Sequence, residues 1–317
     1  MKILTYNILN PYHAVNWNTE EGYHKKDQAE IEQLKSEELE KGETLIEKEG
    51  RVDNWPTRKQ VVLSNLESSG FDVACLQEVC AANSYQDLKS RLSVIGLSLG
   101  KIEANEDKYK VMGPTIAYNP QTVDFIRQKI FEAKSNQRGQ IYGDFKDKAS
   151  GQIFRVASLH LKGYLSKKFD PTIEEQKQGW ENKQKGKVDG YNELCDIVSE
   201  VESDLQDVDH IVLCGDFNED QWEMEYPLSR QVKLTDSRYQ FDGNLNPSEK
   251  RSERKIDWIF HKSLKNVSVN LAPMSFPNQN QEASDHLMVG TEISMKPVES
   301  TFPERLHYKR KELCLRA

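Results

Sequence analysis

A carboxylate and an amide two residues apart, Asp216 and Asn218, close the run His210-Ile-Val-Leu-Cys-Gly-Asp-Phe-Asn218 and set an acceptor beside a donor. Such a pair can orient a water, take a proton or help to hold a hard cation. Gly215 just before it permits a tight or closely approached backbone. The same design recurs along the chain, a short apolar run with a polar residue at its edge. Lys2-Ile-Leu-Thr-Tyr-Asn7 ends in an amide, and Phe71-Asp-Val-Ala-Cys-Leu-Gln-Glu78 in an amide and a carboxylate. Ile153 to His160 ends in an imidazole, and Lys255 to Phe260 carries the carboxylate of Asp257. Ser284-Asp285-His286 opens the last run, Leu287-Met-Val289. Each alone is an ordinary strand end; together they imply one polar cluster at one end of a sheet core.

The elements that must position these groups are mostly short buried strands. Four apolar residues before a turn signal, as in Ile211 to Cys214, read as a strand covered on both faces. Val61, Val62, Leu63, Leu66 and Phe71 follow Trp55-Pro-Thr-Arg58 at the spacing of an amphipathic helix with Pro56 near its start. Trp55 is expected either to plug that helix onto the sheet or to meet substrate. Tyr85 to Leu99 is expected to form a second helix and 188–201 a third. Thr115 to Tyr118 and 122–131 read as strands, and Lys148-Ala-Ser-Gly151 as the turn of a hairpin between Ile141–Phe145 and Ile153. Residues 20–50 are dense in Glu, Lys and Gln and read as a charged, solvated insertion, with Ile31 and Leu34 on one helical face.

The ordered set Tyr6-Asn7, Leu76-Gln77-Glu78, Leu159-His160-Leu161, Gly215-Asp216-Phe217-Asn218, Ile256-Asp257 and Ser284-Asp285-His286 resembles the endonuclease/exonuclease/phosphatase superfamily, the DNase I-like metal-dependent phosphoesterases. Each motif is short, but six occur in the right order over nearly the whole chain. The resemblance implies an α/β (α+β) fold, a DNase I-like four-layer sandwich of two packed mixed sheets flanked by helices. It also implies one catalytic domain over residues 1–295; beyond it, 296–317 holds six basic and three acidic side chains and reads as a basic tail or helix. The order Trp-x-x-Arg, helix, Leu-Gln-Glu is similar to the deadenylase-like branch.

A phosphodiester repels an incoming hydroxide, so its hydrolysis needs a hard cation on the phosphate, a base for the water and donors for the developing charge. The resemblance implies roles for each residue. Glu78 would hold Mg²⁺ (or Mn²⁺) with Asn7 as a neutral helper, and Asp285 would orient groups beside His286 or hold a second metal. Asp216 would act as base or orienter of the water, and Asn218 would donate to a phosphate oxygen or to the nucleophile. Asp257 would pair with His286 to stabilise the transition state, with His160 adding a further contact. Gln77 is expected to be structural. Zinc is disfavoured, because no His/Cys group has suitable spacing.

Between Leu161 and Lys187 seven lysines face four acids, interleaved with Tyr164, Phe169 and Trp180. This segment leaves the strand directly after His160, so Lys162, Tyr164, Lys167 and Lys168 are candidates to hold phosphates and stacked bases. The formal charge of −8 argues against wholesale attraction to nucleic acid. The leading expectation is a cytoplasmic Mg²⁺-dependent nuclease on RNA, a deadenylase-like 3′-exonuclease, with RNA favoured over DNA. The alternatives are a phosphatase or phosphodiesterase of a phosphoinositide or other small or lipid phosphoester, and a catalytically silent binding protein on the same scaffold. A hydrophobic share of 37% with 30% charged residues suits a soluble globular chain, and no apolar run approaches the roughly 20 residues of a membrane span. Lys2 already begins a strand, which leaves no room for a cleavable signal. Five cysteines without a Cys-x-x-Cys pair fit a reducing compartment.

Overall fold

The structure is a computed structural model and describes residues 1–9, 46–48, 51–53, 55–80, 84–101, 112–132, 139–161, 192–218, 240–241, 256–265, 267–276, 284 and 286–297. In chain order the elements are β1 (Lys2–Asn7), β2 (Ile46–Lys48), β3 (Arg51–Asp53), α1 (Trp55–Ser69), β4 (Val73–Cys80), α2 (Ser84–Val94), β5 (Ser98–Leu99), β6 (Met112–Tyr118), β7 (Val123–Glu132), β8 (Gly139–Asp147) and β9 (Ile153–His160). They continue with α3 (192–201), β10 (His210–Asp216), β11 (Gln240–Phe241), β12 (Asp257–Ser263), β13 (Val267–Pro273) and β14 (Val289–Pro297).

Two six-stranded mixed sheets form the body, in the orders β13-β14-β1-β4-β6-β5 and β11-β12-β10-β9-β8-β7. Each has the same plan. A parallel pair, β1/β4 in one and β9/β10 in the other, lies at the centre and is flanked on both sides by antiparallel strands. Alternation along the strands sorts the side chains into layers. Leu4, Tyr6, Ala74 and Leu76 pack outward against Val62, Leu66, Leu88 and Leu92 of α1 and α2. Leu159, Ile211 and Leu213 pack outward against Leu194, Ile197 and Val198 of α3. Ile3, Val73, Cys75, Val156, Val212, Cys214 and Ile259 fill the space between the sheets. The result is the expected four-layer sandwich, helix, sheet, sheet, helix.

Helix α1 begins one residue before Pro56, where a missing N–H is harmless. Trp55 plugs it onto the sheet as expected: the indole is buried and donates to Asp87 of α2 at 2.9 Å. Helix α2 stops at Val94 rather than Leu99. Gly96 adopts φ +77, and the N–H of Leu97 reaches back to the Leu92 carbonyl at 2.9 Å while that of Gly96 meets Ser93 at 3.2 Å. This glycine-terminated cap releases Ser98 and Leu99 to pair with β6. The last strand starts at Val289, two residues later than its apolar run suggested. Ile46–Lys48, at the end of the charged insertion, pairs with Arg51–Asp53 as a hairpin, while the helical face of Ile31 and Leu34 lies outside the described residues. Fully buried Arg155 ties α3 to its sheet, pairing with Asp144 at 2.8 and 3.0 Å and donating to the carbonyls of Val201 at the end of the helix and Asp204 beyond it. Among the described cysteines none is in a disulfide, and burial, with a contact from Cys75, pushes the Cys214 thiol well up.

Two buried histidines stand on the inter-sheet face of the second sheet, at the end of β10 away from Asp216. The rings of His210 and His261 lie 5.4 Å apart, and none of their four ring nitrogens has a hydrogen-bond partner. Burial lowers His210 to about 4, and burial plus the neighbouring ring lowers His261 to about 3. An unfolded chain takes up protons on both near pH 6.5, well before the folded protein does. In that window the unfolded state binds more protons, so stability falls as pH falls from about 6.5 towards 4, by on the order of a few kcal/mol. His261→Leu should therefore raise the melting temperature by several degrees at pH 5 and by much less at pH 7.5. A melting-temperature difference independent of pH between these values contradicts this assignment.

Candidate active site

The geometry follows from strand direction and parity. Asn7, His160 and Asp216 are the last residues of β1, β9 and β10, three strands that run the same way in the parallel cores. Asp257 is the first residue of antiparallel β12, directly opposite Asp216, and His160 is the partner of Asp216 on the other side. His286 leads into antiparallel β14, which returns beside β1. All of these residues therefore emerge at one rim of the sandwich. Counting back by twos from Asp216 gives Cys214 and Val212, and forward from Asp257 gives Ile259, all members of the inter-sheet core. The cluster is thus the polar continuation of the layer between the sheets.

Glu78 reaches this rim by a different route. By simple alternation it would share the outward side of Leu76, beneath α1. A bulge intervenes: Leu76 pairs with Thr115 and Val79 with Gly113, so Gln77 and Glu78 together oppose Pro114. Proline has no N–H to give to a ladder, which makes it tolerable opposite a bulge. Glu78 takes φ +58, Val79 returns to the helix-facing core, and the carboxylate turns to the cluster. Just beneath the rim Gln77 clasps the two sheets, as its expected structural role requires. Its oxygen accepts from Thr5 of one sheet at 3.1 Å and its nitrogen donates to Ser158 of the other at 3.2 Å.

Asp216 is the hub. Its Oδ2 accepts from the Asn7 side-chain amide at 3.0 Å and lies 3.6 Å from Nε2 of His160 and 3.8 Å from Nε2 of His286. The same Asn7 nitrogen donates to Glu78 at 3.2 Å, so one amide bridges the two carboxylates. Nε2 of His160 stands 3.9 Å from Glu78. Nδ1 of His286 meets Asp257 at 2.7 Å, the pairing the resemblance implies, which turns Nε2 towards Asp216. Burial is the main cause of an Asp216 carboxyl raised to about 7. His286 pulls it down, Asp257 adds to the rise, and the hydrogen bonds from Asn7 and the Asn218 backbone lower it again. A buried carboxyl near neutrality can accept or release a proton at physiological pH.

Asn218 is close but turned. With φ +56 its backbone N–H caps the Asp216 carboxylate at 2.8 Å, and its side-chain amide donates to the Leu161 carbonyl at 2.8 Å. Asn7 shows its nitrogen to the carboxylates, because its oxygen accepts the Leu9 N–H at 3.0 Å. Asp285, Lys162, Tyr164, Lys167 and Lys168 lie outside the described residues. Asp216, Asp257 and His286 each offer a ligand atom within 4.8 Å of the others, a buried set able to hold a metal ion and different from the Asn7, Glu78 and Asp285 set implied by the resemblance.

Two supporting side chains had no role in the sequence reading, Gln140 and the Ser284 of the last motif. Buried Gln140 brackets His160 with its amide, accepting the backbone N–H at 2.9 Å and donating to the carbonyl at 3.1 Å. Buried Ser284 donates to the Asn7 carbonyl at 2.6 Å and accepts the His286 N–H at 3.1 Å, so one hydroxyl joins the first motif to the last. The only signal for Gln140 was an amide at the edge of an apolar run, Gly139 to Phe145, one more case of the recurring design.

No family model matches the chain, and no curated protein matches it. Solved structures do. An endonuclease/exonuclease/phosphatase from Bacteroides vulgatus is 16% identical, with 93% of this chain and 98% of that one covered at a TM-score of 0.61. The human Nocturnin catalytic domain with bound sulfate anion is 18% identical, with 93% and 94% covered at 0.58. ANGEL2, a 2′,3′-cyclic phosphatase, is 15% identical, with 92% and 94% covered at 0.61. The chain has the fold of the endonuclease/exonuclease/phosphatase, DNase I-like proteins. Among the described residues no helix is long and apolar enough to cross a membrane.

Proposed function

We propose that this protein is a divalent-metal-dependent phosphodiester hydrolase acting on RNA, a 3′-exonuclease of the deadenylase-like kind. The observation that carries the reading is Asp216, a buried carboxylate within 3.0 to 3.8 Å of an amide and two imidazoles drawn from three distant parts of the chain. A carboxylate raised by burial and gathered with histidines at a strand rim is the arrangement expected of a catalytic centre. The likeness to solved structures whose names are a phosphatase and an endonuclease/exonuclease/phosphatase supports the phosphoester class.

The donor set suits Mg²⁺ or Mn²⁺. Glu78 and Asp216 supply hard oxygens held side by side by one Asn7 amide nitrogen, and Asp216 also belongs to the Asp216, Asp257 and His286 set. A bound cation would supply Lewis acidity at a phosphoryl oxygen. The residues do the remainder. Asp216 orients the attacking water and receives its proton, and Asp257 keeps His286 in the orientation that presents Nε2 to the phosphoryl group. His160 offers Nε2 to the same charge, and Lys162, Tyr164, Lys167 and Lys168 are proposed to guide the strand. Asn218, whose side-chain nitrogen carries a second hydrogen besides the one given to Leu161, is proposed to donate to a phosphate oxygen or to the nucleophile.

The net charge of −8 favours a second reading, hydrolysis of a small or lipid phosphoester. The test is incubation with Mg²⁺ and a panel of oligo(A), mixed RNA, RNA ending in a 2′,3′-cyclic phosphate, duplex DNA and phosphoinositide vesicles. A 3′ ladder abolished by EDTA is the expected result. Inorganic phosphate release from the lipid alone would favour the second reading, and no product from any member would leave a binding protein.

A further inference from the structure

Asn7 needs a support that the catalytic cluster does not itself provide. Its amide can bridge Glu78 and Asp216 only while its oxygen faces the Leu9 N–H, and that backbone bends through a φ of +55 at Leu9. A left-handed leucine is uphill on its own and persists only where its surroundings hold it. The holder is Arg58, one turn into α1. Its guanidinium is buried and donates from Nη1 to the Ile8 carbonyl at 3.1 Å and from Nη2 to the Leu9 carbonyl at 2.9 Å. It also lies 5.3 Å over the ring of Trp55, which α2 anchors through Asp87.

We propose that Arg58 is a positioning residue for the Asn7 amide: its planar fork locks the two carbonyls after β1 and so fixes the bridge between Glu78 and Asp216. The proposal rests on the phosphoester reading for its effect on rate, but not for its effect on Asn7. A lysine carries the same charge without the fork, so it cannot hold two successive carbonyls in that geometry. Supporting groups of this kind commonly govern about 10–100-fold in activity.

Arg58→Lys should lower kcat by roughly 10–100-fold on the phosphoester identified above, with KM changed by less than about threefold and circular dichroism unchanged. Arg58→Ala should regain activity when guanidinium ion is added at concentrations too low to denature. A readout free of turnover is the Asn7 side-chain NH₂ pair in a ¹⁵N–¹H spectrum, assigned by its loss in Asn7→Ser. In the wild type it should be a single slowly exchanging pair; in Arg58→Lys it should broaden and exchange faster. If the wild type hydrolyses no phosphoester, the proposed function falls, and the Asn7 pair still decides the role of Arg58. An Arg58→Lys protein with an unmoved Asn7 pair overturns the proposal. So does a loss of kcat that only tracks a loss of folded protein.

Discussion

Asp216→Asn lowers the turnover number by about 10³-fold while leaving the protein folded. The substitution preserves volume and leaves one oxygen, which can keep either the 3.0 Å contact with the Asn7 amide or the 2.8 Å cap from the Asn218 N–H, at a cost of one hydrogen bond. What it removes is the charge that faces both imidazoles and a carboxyl raised to about 7 by burial, the group best suited to exchange a proton here. Asparagine can neither take that proton nor balance a cation. Steady-state kinetics on the preferred phosphoester, with circular dichroism as the folding control, measures the effect. His286→Ala should cost at least about 10²-fold, and the double variant little more than the worse single, because both act on the same atoms. An Asp216→Asn enzyme that keeps more than about a tenth of wild-type turnover refutes the role given to this carboxylate.

Gly215→Ala destabilises the fold by about 4 kcal/mol or more, a large loss for one methyl group. Gly215 sits in β10 between β9 and β12, with φ +153, and a Cβ built there would lie 1.9 Å from the Leu159 carbonyl oxygen and 2.8 Å from the Leu159 nitrogen. Those atoms belong to the backbone of the neighbouring parallel strand and cannot swing aside as a side chain can. The two strands would have to separate immediately below Asp216 and His160, so the damage falls on the site as well as on the core. Thermal melts should show a fall of about 8 °C or more, together with loss of activity. A melting temperature within a degree of wild type would mean that the strands part freely at this point.

The site was legible where it follows strand parity. Asn7, His160, Asp216 and Asp257 are each reached by stepping two residues at a time through buried, inward-facing positions, apolar except for Thr5 and Ser158 just below the rim, and a run of alternation or burial carries that information locally. Glu78 was recognisable as a residue type at a strand edge, but its direction was not. Alternation alone turns it under α1, and only the bulge opposite Pro114 brings it to the rim. The end of α2 was missed for a related reason: Leu97 and Leu99 extend the apolar pattern, while the positive φ of Gly96 breaks the helix. Asn218 shows the limit of spacing arguments. Two residues from Asp216 in an extended chain it would project beside it, yet the left-handed turn at Asn218 sends its amide to Leu161.

From the residues alone came the buried strands, the polar edges, the resemblance of their order and the types of group gathered for chemistry. Each of these is written in local periodicity and composition, which require no knowledge of what lies across the fold. Only the tertiary structure decided which polar edges meet. It made Asp216 the hub, gave one Asn7 nitrogen to two carboxylates, bracketed His160 with Gln140, and joined Asn7 to His286 through Ser284. These contacts span up to 277 residues of chain. Their geometry depends on register, bulges and the packing of two sheets, which are properties of the assembled backbone and not of any stretch of it.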